Sequence, residues 1–494
     1  MKIAKSLLTL ILCLAMTMTF TACKKSGDGQ TSDEWEYYSV YEDVPGGKTE
    51  NSSNNSSQQS DTGKNTINDN GGNVSSSNVA NTNNKDFINS LKGLEITIWT
   101  QQQEKPTRGT LSGDKYYAVL DRVAKKYGVT INAHPSGISD ESLQTSILAG
   151  KPQANVISIQ DFSLASWLNA GTVAELDTAM EETGIDFTSE IYDQNVRKFT
   201  NLNGKQYAFH SDLVDVSLLI YNKRLVQEAG LMDPYELYLN GQWTLDKLTE
   251  YLKKLTKTSN DGTVLVRGMQ SSAPAGLIGM LSPSIFTLEN GNFVFNGSDL
   301  KVQKNLMYIT QWYKNDQSVS SAANWREPYI NFAQGKTAMV CSTKFAFNYM
   351  VENNMTDAVS CVPFPHTGTY TYQQIFSTII PKCSQKDASK ILFVMNEVYE
   401  ELYKIREERF DNEFKSLIRD KNSYQLFKDY SLGNKKCDLT YTRLSGVMFD
   451  PYPQMQTLGN NLAGGMAVST SVNSLSQSIN ASLKEQWGKW TFAK

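Results

Sequence analysis

The chain has 494 residues, 40% of them apolar and 20% charged, more than one small core can hold, and fits a two-lobed body or two domains. A formal net charge of −4 excludes the strongly basic face that would meet nucleic-acid phosphates, and no polybasic patch for a membrane surface stands out.

The first residues read as an address. Lys2 and Lys5 precede an apolar stretch, 7–20, with the small residue Ala22 just before Cys23. This is the layout of a secretory signal, and it is short for a membrane-spanning helix. The run Phe20-Thr21-Ala22-Cys23 resembles a bacterial lipobox, with Phe20 where leucine is usual. That resemblance implies cleavage before Cys23 and lipidation of its thiol, with diacylglycerol and an N-acyl chain enough for stable anchoring. The alternative is an ordinary secreted protein with a chance cysteine. Of the other cysteines, Cys13 leaves with the signal, and Cys341, Cys361, Cys383 and Cys437 show no paired spacing for a metal. Buried free thiols are the expectation for these four; a Cys341–Cys361 disulfide requires their strands to be neighbours.

Residues 23–92 form the expected tether. Positions 51–84 are dominated by Ser, Asn, Gly and Gln and carry almost no large apolar side chains, so burial cannot offset the entropy of ordering them. A coil of this length spans roughly 45 Å. Within it, Trp35, Tyr37, Tyr38 and Tyr41 make an acidic aromatic island, either a docking motif or sticky linker.

Folded elements begin near Leu94. Alternation over 94–99 predicts a strand, and helical spacing over 116–127 predicts a helix ended by Gly128. A strand at 129–133, a helix at 142–148 closed by Gly150, a strand at 156–159 and a helix at 162–170 follow. This alternation predicts an α/β fold with a mostly parallel sheet and helices on both faces. Ligands of such sheets bind beyond the carboxyl ends of the strands, which nominates Trp99, Gln101, Gln102 and Asp161. Further on, a strand at 218–221 leads into a helix at 223–230. Helices are expected at 244–255, with Thr244 as N-cap, and at 300–313, 388–409 and 475–487. No internal repeat is evident.

Several segments together are similar to the extracellular solute-binding proteins of ABC importers, of the maltose-binding type. They are Asn203-Gly204-Lys205-Gln206-Tyr207-Ala208, Leu219-Ile220-Tyr221-Asn222-Lys223, Glu228-Ala229-Gly230, Trp243-Thr244-Leu245-Asp246-Lys247-Leu248, Phe332-Ala333-Gln334-Gly335-Lys336-Thr337-Ala338-Met339 and Val362-Pro363-Phe364-Pro365. The resemblance covers about 95–400. It implies a two-lobed periplasmic-binding-protein-like fold of type II, with hinge strands and the ligand in the interlobe cleft. The implied division is 93–211 in lobe 1, 212–360 in lobe 2, 361–402 back in lobe 1 and 403–494 in lobe 2. It implies closure on a small molecule and delivery to ABC permease subunits in the membrane, by a monomer held on the outer face of the cell membrane by its lipid alone. Neither a cofactor nor a metal is called for.

A sugar needs planar hydrogen-bonding groups for its hydroxyls and flat rings for its C–H faces. The resemblance adds ligand candidates on that basis. Asp161 falls where the family often keeps an Asp; the other reading is a helix cap. Asp212 and Asp215 lie at the first crossing, or are surface charges, and His210 precedes it, or is a structural hydrogen-bonding group. Trp325, Phe345, Tyr372 and Phe376 fall at family aromatic or contact positions, whereas Phe347 and Trp167 read as core. The ligand class expected is a carbohydrate, an oligosaccharide foremost. The same fold binding a peptide or polyamine is one alternative, and a non-transport surface scaffold is the other. An enzyme is not expected: the sequence has no nucleophile elbow, zinc-protease helix, phosphate loop or dinucleotide fingerprint, and His134, His210 and His366 lack metal-type spacing.

Overall fold

The computed structural model describes residues 85–492 apart from 102–105, 211–214, 343–344, 366–371, 375, 419 and 434–453. Two sheets organise it. The first has the spatial order Phe376–Ile379, Val156–Gln160, Glu95–Thr100, Thr130–Ala133. Its three earlier strands are parallel, and Phe376–Ile379 joins them antiparallel at one edge. Side chains alternate between the faces, as the two-residue period of a strand requires. Ile96, Ile98 and Val156 pack with helices Leu111–Tyr127, Asp177–Thr183 and Ala388–Lys404. Trp99, Ile157 and Ile159 pack with Asp140–Leu148 and Leu164–Asn169.

The ends of the long helix follow from its sequence. The Thr110 hydroxyl caps it by accepting from Gly113 N, and Gly128 ends it in the left-handed conformation at φ 65°. A Cβ at Gly113 would lie 1.8 Å from the Thr107 carbonyl oxygen, so only glycine lets the preceding loop fold over this helix end.

The second sheet has the order Val319–Ser321, Val264–Ser271, Thr337–Ser342, Asp215–Asn222, Val359–Val362. Its first three strands are parallel, but Asp215–Asn222 runs antiparallel to both neighbours, because it enters from the other lobe. The expected mostly parallel arrangement therefore describes the first sheet better than the second. Leu219, Tyr221, Met269 and Met339 face helices Leu245–Leu255, Leu300–Thr310, Gln454–Ala463 and Val468–Trp487. Leu218, Ile220 and Val340 face Phe345–Glu352, Arg406–Phe414 and Lys421–Ser431, where Phe347, Phe410, Phe414 and Phe427 form an aromatic core.

One stretch of chain touches both sheets. Tyr372–Gln374 pairs with Asp215–Ser217 of the second sheet, and Phe376–Ile379 pairs with Gln160–Ile157 of the first. Phe209 bridges Thr378 just before the chain passes to the second sheet. A third passage is at Ile405, where the helix expected at 388–409 breaks. Its first part belongs to the first lobe's core. Its second part puts Phe410 and Phe414 into the second lobe's core while also lying on Leu111–Tyr127, where Lys115 pairs with Glu408 at 2.7 Å.

Cys341, Cys361 and Cys383 are free thiols, and Cys437 lies outside the described residues. Cys341 registers with Leu219 and Cys361 with Ile220 on opposite sides of one strand. Two strand spacings, about 9.6 Å, exceed the Cα reach of a disulfide. Burial pushes both thiols up, Cys361 to about 12.

Candidate ligand-binding site

The hinge brings the carboxyl edges of the two sheets together. Gln160, the last residue of its strand, registers with Phe376, and Asp215, the first of its strand, registers with Gln374. Gln374 and Phe376 are two positions apart in the chain, so these points lie at most about 7 Å from each other.

On the first lobe the edge is a tied amide network. Gln101 N donates to the Ser158 carbonyl, prolonging the ladder beyond the strand end (3.0 Å). Gln101 Oε1 accepts from Gln160 N at 2.9 Å, and Gln101 Nε2 donates to Asp140 Oδ2 at 2.7 Å. Partial burial holds the Asp140 carboxyl above its ordinary range, and the Gln101 donor opposes that shift. The His210 ring sits 6.5 Å from the buried Phe376 ring, and its carbonyl accepts from Asp193 N at 2.9 Å.

On the second lobe the edge is made of hydroxyls. Ser271 and Ser321 end two adjacent strands and are register partners. The Tyr313 hydroxyl shares a 2.7 Å hydrogen bond with Ser271 Oγ and also bonds Ser321; burial pushes its titration up, and both serine contacts oppose it. Tyr313 reaches them because helix Leu300–Thr310 widens into a π-helical turn over Gln311–Asn315. The neighbouring Trp312 is fully buried, with Nε1 donating to Thr249 Oγ1 at 2.8 Å. Four residues past the Val319–Ser321 strand, Trp325 is 38% exposed. Its ring stands edge-on to Tyr349 at 6.4 Å and carries the Arg326 guanidinium at 5.1 Å; Tyr349 stacks on Tyr329 at 5.7 Å.

The structure thus places Gln101, His210 and Phe376 along one lobe's edge and Trp325 beside the other's. Trp99 is used differently: it is buried in the core, and its Nε1 donates to the Ile138 carbonyl at 3.2 Å. Asp161 opens the short helical turn Asp161–Ser163, Asp215 opens a strand, Phe345 opens helix Phe345–Glu352 and Tyr372 pairs with Ser217; the side chains of these four lie outside the described atoms. Gln102, Asp212 and Cys23 lie outside the described residues. Asp140, Gln160, Ser271, Ser321 and Tyr313 escaped sequence reasoning. Gln160 sits beside Asp161 and obeyed the same strand-end rule, and the two serines would have obeyed it had their strands been assigned. Among the described residues no group of three His, Cys, Asp or Glu could hold a metal ion, and no helix is long and apolar enough to cross a membrane.

Solved structures show the same architecture at low identity. An ABC substrate-binding protein from Listeria monocytogenes, in complex with cycloalternan, matches with a TM-score of 0.58 at 15% identity, over 79% of this chain and 99% of that one. The maltose/maltodextrin-binding domain MalE from Bdellovibrio bacteriovorus, bound to maltotriose, matches with a TM-score of 0.53 at 13% identity, over 80% and 99%. UgpB from Mycobacterium tuberculosis, in complex with glycerophosphocholine, matches with a TM-score of 0.58 at 14% identity, over 79% and 98%. No curated protein matches by sequence. The fold is therefore the two-lobed, type II periplasmic-binding-protein-like architecture, with hinge strands and a cleft between the lobes. The model of the bacterial extracellular solute-binding proteins matches residues 109–389, more than half of the chain, and the chain belongs to that family.

Proposed function

We propose that the chain is the non-catalytic, lipid-anchored receptor of an ABC-type importer, which captures a carbohydrate, an oligosaccharide foremost, and delivers it to a membrane permease. The observation that carries this is the chemistry of the two adjoining edges: the Gln101 amide, fixed between the Gln160 backbone N–H and the Asp140 carboxylate, on one, and the hydroxyls of Ser271, Ser321 and Tyr313 with the partly exposed Trp325 ring on the other. Amides and hydroxyls suit sugar hydroxyls, and an indole suits a sugar's C–H face. A ligand touching both edges stabilises the closed arrangement over the open one. The complexes of similar folds with cycloalternan and maltotriose support the same ligand class. The lipid anchor rests on Cys23 and the signal before it, and the lobe division at 211/212, 360/361 and 402/403 rests on the resemblance of the chain's segments to the family.

One observation favours a second reading. Asp140, Asp161 and Asp215 all fall near the cleft edge in the chain trace, and a similar fold is in complex with glycerophosphocholine. A ligand carrying an ammonium group would use those acids.

A thermal-shift panel of mono- and oligosaccharides, polyamines, choline esters and peptides on the purified chain separates the two. A ligand at a hundred times its Kd adds about 2.7 kcal/mol to folding stability, enough to read as a raised melting point. A shift with an oligosaccharide supports the carbohydrate receptor. A shift only with a cationic ligand replaces the ligand class and keeps the receptor, and no shift across the panel leaves the scaffold reading standing.

A further inference from the structure

The last described segment does something the cleft does not require. Helix Val468–Trp487 packs on helix Gln454–Ala463 and on the hairpin Phe286–Phe295, elements of the second lobe. Its last turn also meets helix Leu164–Asn169 and Phe199 of the first lobe, and after Trp487 the chain continues onto that lobe. Asn203 N donates to the Thr491 carbonyl and Thr491 N donates to Asn203 Oδ1, both at 2.7 Å, while Leu202 bridges Phe492. Asn203 Nδ2 donates to the Lys489 carbonyl at 3.1 Å and Trp490 Nε1 to Asn169 Oδ1 at 3.0 Å. Asn169 Nδ2 in turn donates to the Gln486 carbonyl at 2.8 Å. Phe492 N then donates to the Gly291 carbonyl at 2.9 Å, back on the second-lobe hairpin.

Apolar contacts follow the same path. The Phe492 ring lies 5.4 Å from Phe199 of the first lobe and 4.8 Å from Phe293 of the second; Trp487 also touches both, at 5.6 and 5.7 Å. Trp490 stands edge-on to Tyr207 at 5.4 Å. The chain is shaped to receive the segment from both sides. Asn203 and Gly204 hold φ of 52° and 73°, the left-handed pair of a tight hairpin turn, which presents the Asn203 amide. Gly291, at φ 79°, has no room for a Cβ, which would sit 2.5 Å from Thr491 Cγ2 and 3.0 Å from the Phe492 carbonyl oxygen.

We propose that residues 488–492 are an interlobe strap that holds the two lobes in the arrangement seen here and must yield when they rotate about the hinge strands. Its contacts join surfaces that belong to different lobes, so a rigid rotation cannot keep all of them. The strap then sets the equilibrium between arrangements before any ligand arrives, and with it the apparent affinity for a ligand that selects one of them.

The test needs no ligand. A donor–acceptor dye pair is placed through unnatural amino acids at the exposed positions Leu148 and Leu300, one on each lobe, and single-molecule transfer efficiency is recorded on the purified full chain. Two variants are compared with the parent. One lacks residues 489–494. The other, Asn203→Gly with Trp490→Phe, removes three of the five hydrogen bonds to the first lobe and keeps the turn and the rings. The expected result is a shifted and broadened efficiency distribution in both, with far-UV circular dichroism unchanged. A double variant whose distribution superimposes on the parent's overturns the strap. Loss of circular dichroism in the truncated chain leaves the double variant as the deciding case.

Discussion

The two cleft edges meet at one hinge but are built in opposite ways. The first-lobe edge spends its polar groups on itself: Gln101 is held through its backbone N–H, its side-chain oxygen and its side-chain nitrogen, and Asp140 sits half out of water against it. The second-lobe edge keeps a smaller internal set, the Tyr313–Ser271–Ser321 hydroxyls, and leaves a large ring in solvent at Trp325. The first edge is a preformed template whose disruption is felt as stability. The second combines a supported hydroxyl group with a ring whose removal, on the proposed carbohydrate-receptor reading, is expected to be felt in binding. The difference can be broken from either side.

The largest effect should come from below the second edge. Trp312 is fully buried beside Tyr313, and its indole nitrogen is satisfied by Thr249. Trp312→Ala removes that packing and should cost about 3–5 kcal/mol in urea unfolding. It should also free Tyr313, seen as faster proteolysis near 311–315. A loss below 1 kcal/mol would mean that the π-helical turn stands without its tryptophan and that the second edge is not supported as described.

Gln101→Leu attacks the first edge. It leaves the Gln160 N–H without its acceptor and the Asp140 carboxylate without its donor. The expected cost is about 1–3 kcal/mol, with hastened amide exchange at Gln160. A substitution that left both stability and exchange untouched would show that the network is incidental.

How far these edges could be read from sequence differs for the same reason. In the first lobe the strands alternate cleanly, Gly128 and Gly150 punctuate the helices, and the strand-end rule reached Gln101 and stopped one residue past Gln160. It could not reach Asp140, because that bond joins residues 39 positions apart. In the second lobe, strand Val264–Ser271 contains Arg267 and Gly268, which blur its pattern. The glycine is there for packing: a Cβ would lie 2.3 Å from the Leu252 carbonyl oxygen of the helix that crosses it. With that strand unassigned, Ser271 and its neighbour Ser321 had no place on an edge, and Tyr313 read as an ordinary helical residue. Trp99 failed in the other direction: it was nominated for standing near a strand end, but its side chain points into the face that packs Leu143 and Ile157. The break at Ile405 left no mark in a charged helical pattern, since it reflects a change of packing partner between lobes.

Trp325→Ala sharpens the comparison most directly. The residue is partly exposed and its ring meets Tyr349 and Arg326, so stability should fall by only about 1 kcal/mol. Stacking on a ligand should fall by about 1.4 kcal/mol, a tenfold loss of affinity by calorimetry for whichever oligosaccharide scores in the thermal-shift panel. A larger stability loss with unchanged affinity would reverse the roles assigned to the two edges.

The smallest effect is also the one whose sign is most constrained. Burial raises the Asp140 carboxyl above its ordinary value, so its stabilising form in the fold is the protonated one. That contribution is fully present below the unfolded value of about 3.8 and is lost as pH rises through the folded value. At neutral pH the ionised carboxylate is a net cost, reduced by the Gln101 hydrogen bond. Asp140→Asn keeps an oxygen for Gln101 Nε2 and removes the charge. The variant should therefore melt above the parent near pH 7, with the gap narrowing as pH falls and closing below about 3.8. A gap that instead widened in acid would mean that the ionised carboxylate is favoured by the fold, and that the first edge is held by a charge rather than by amides.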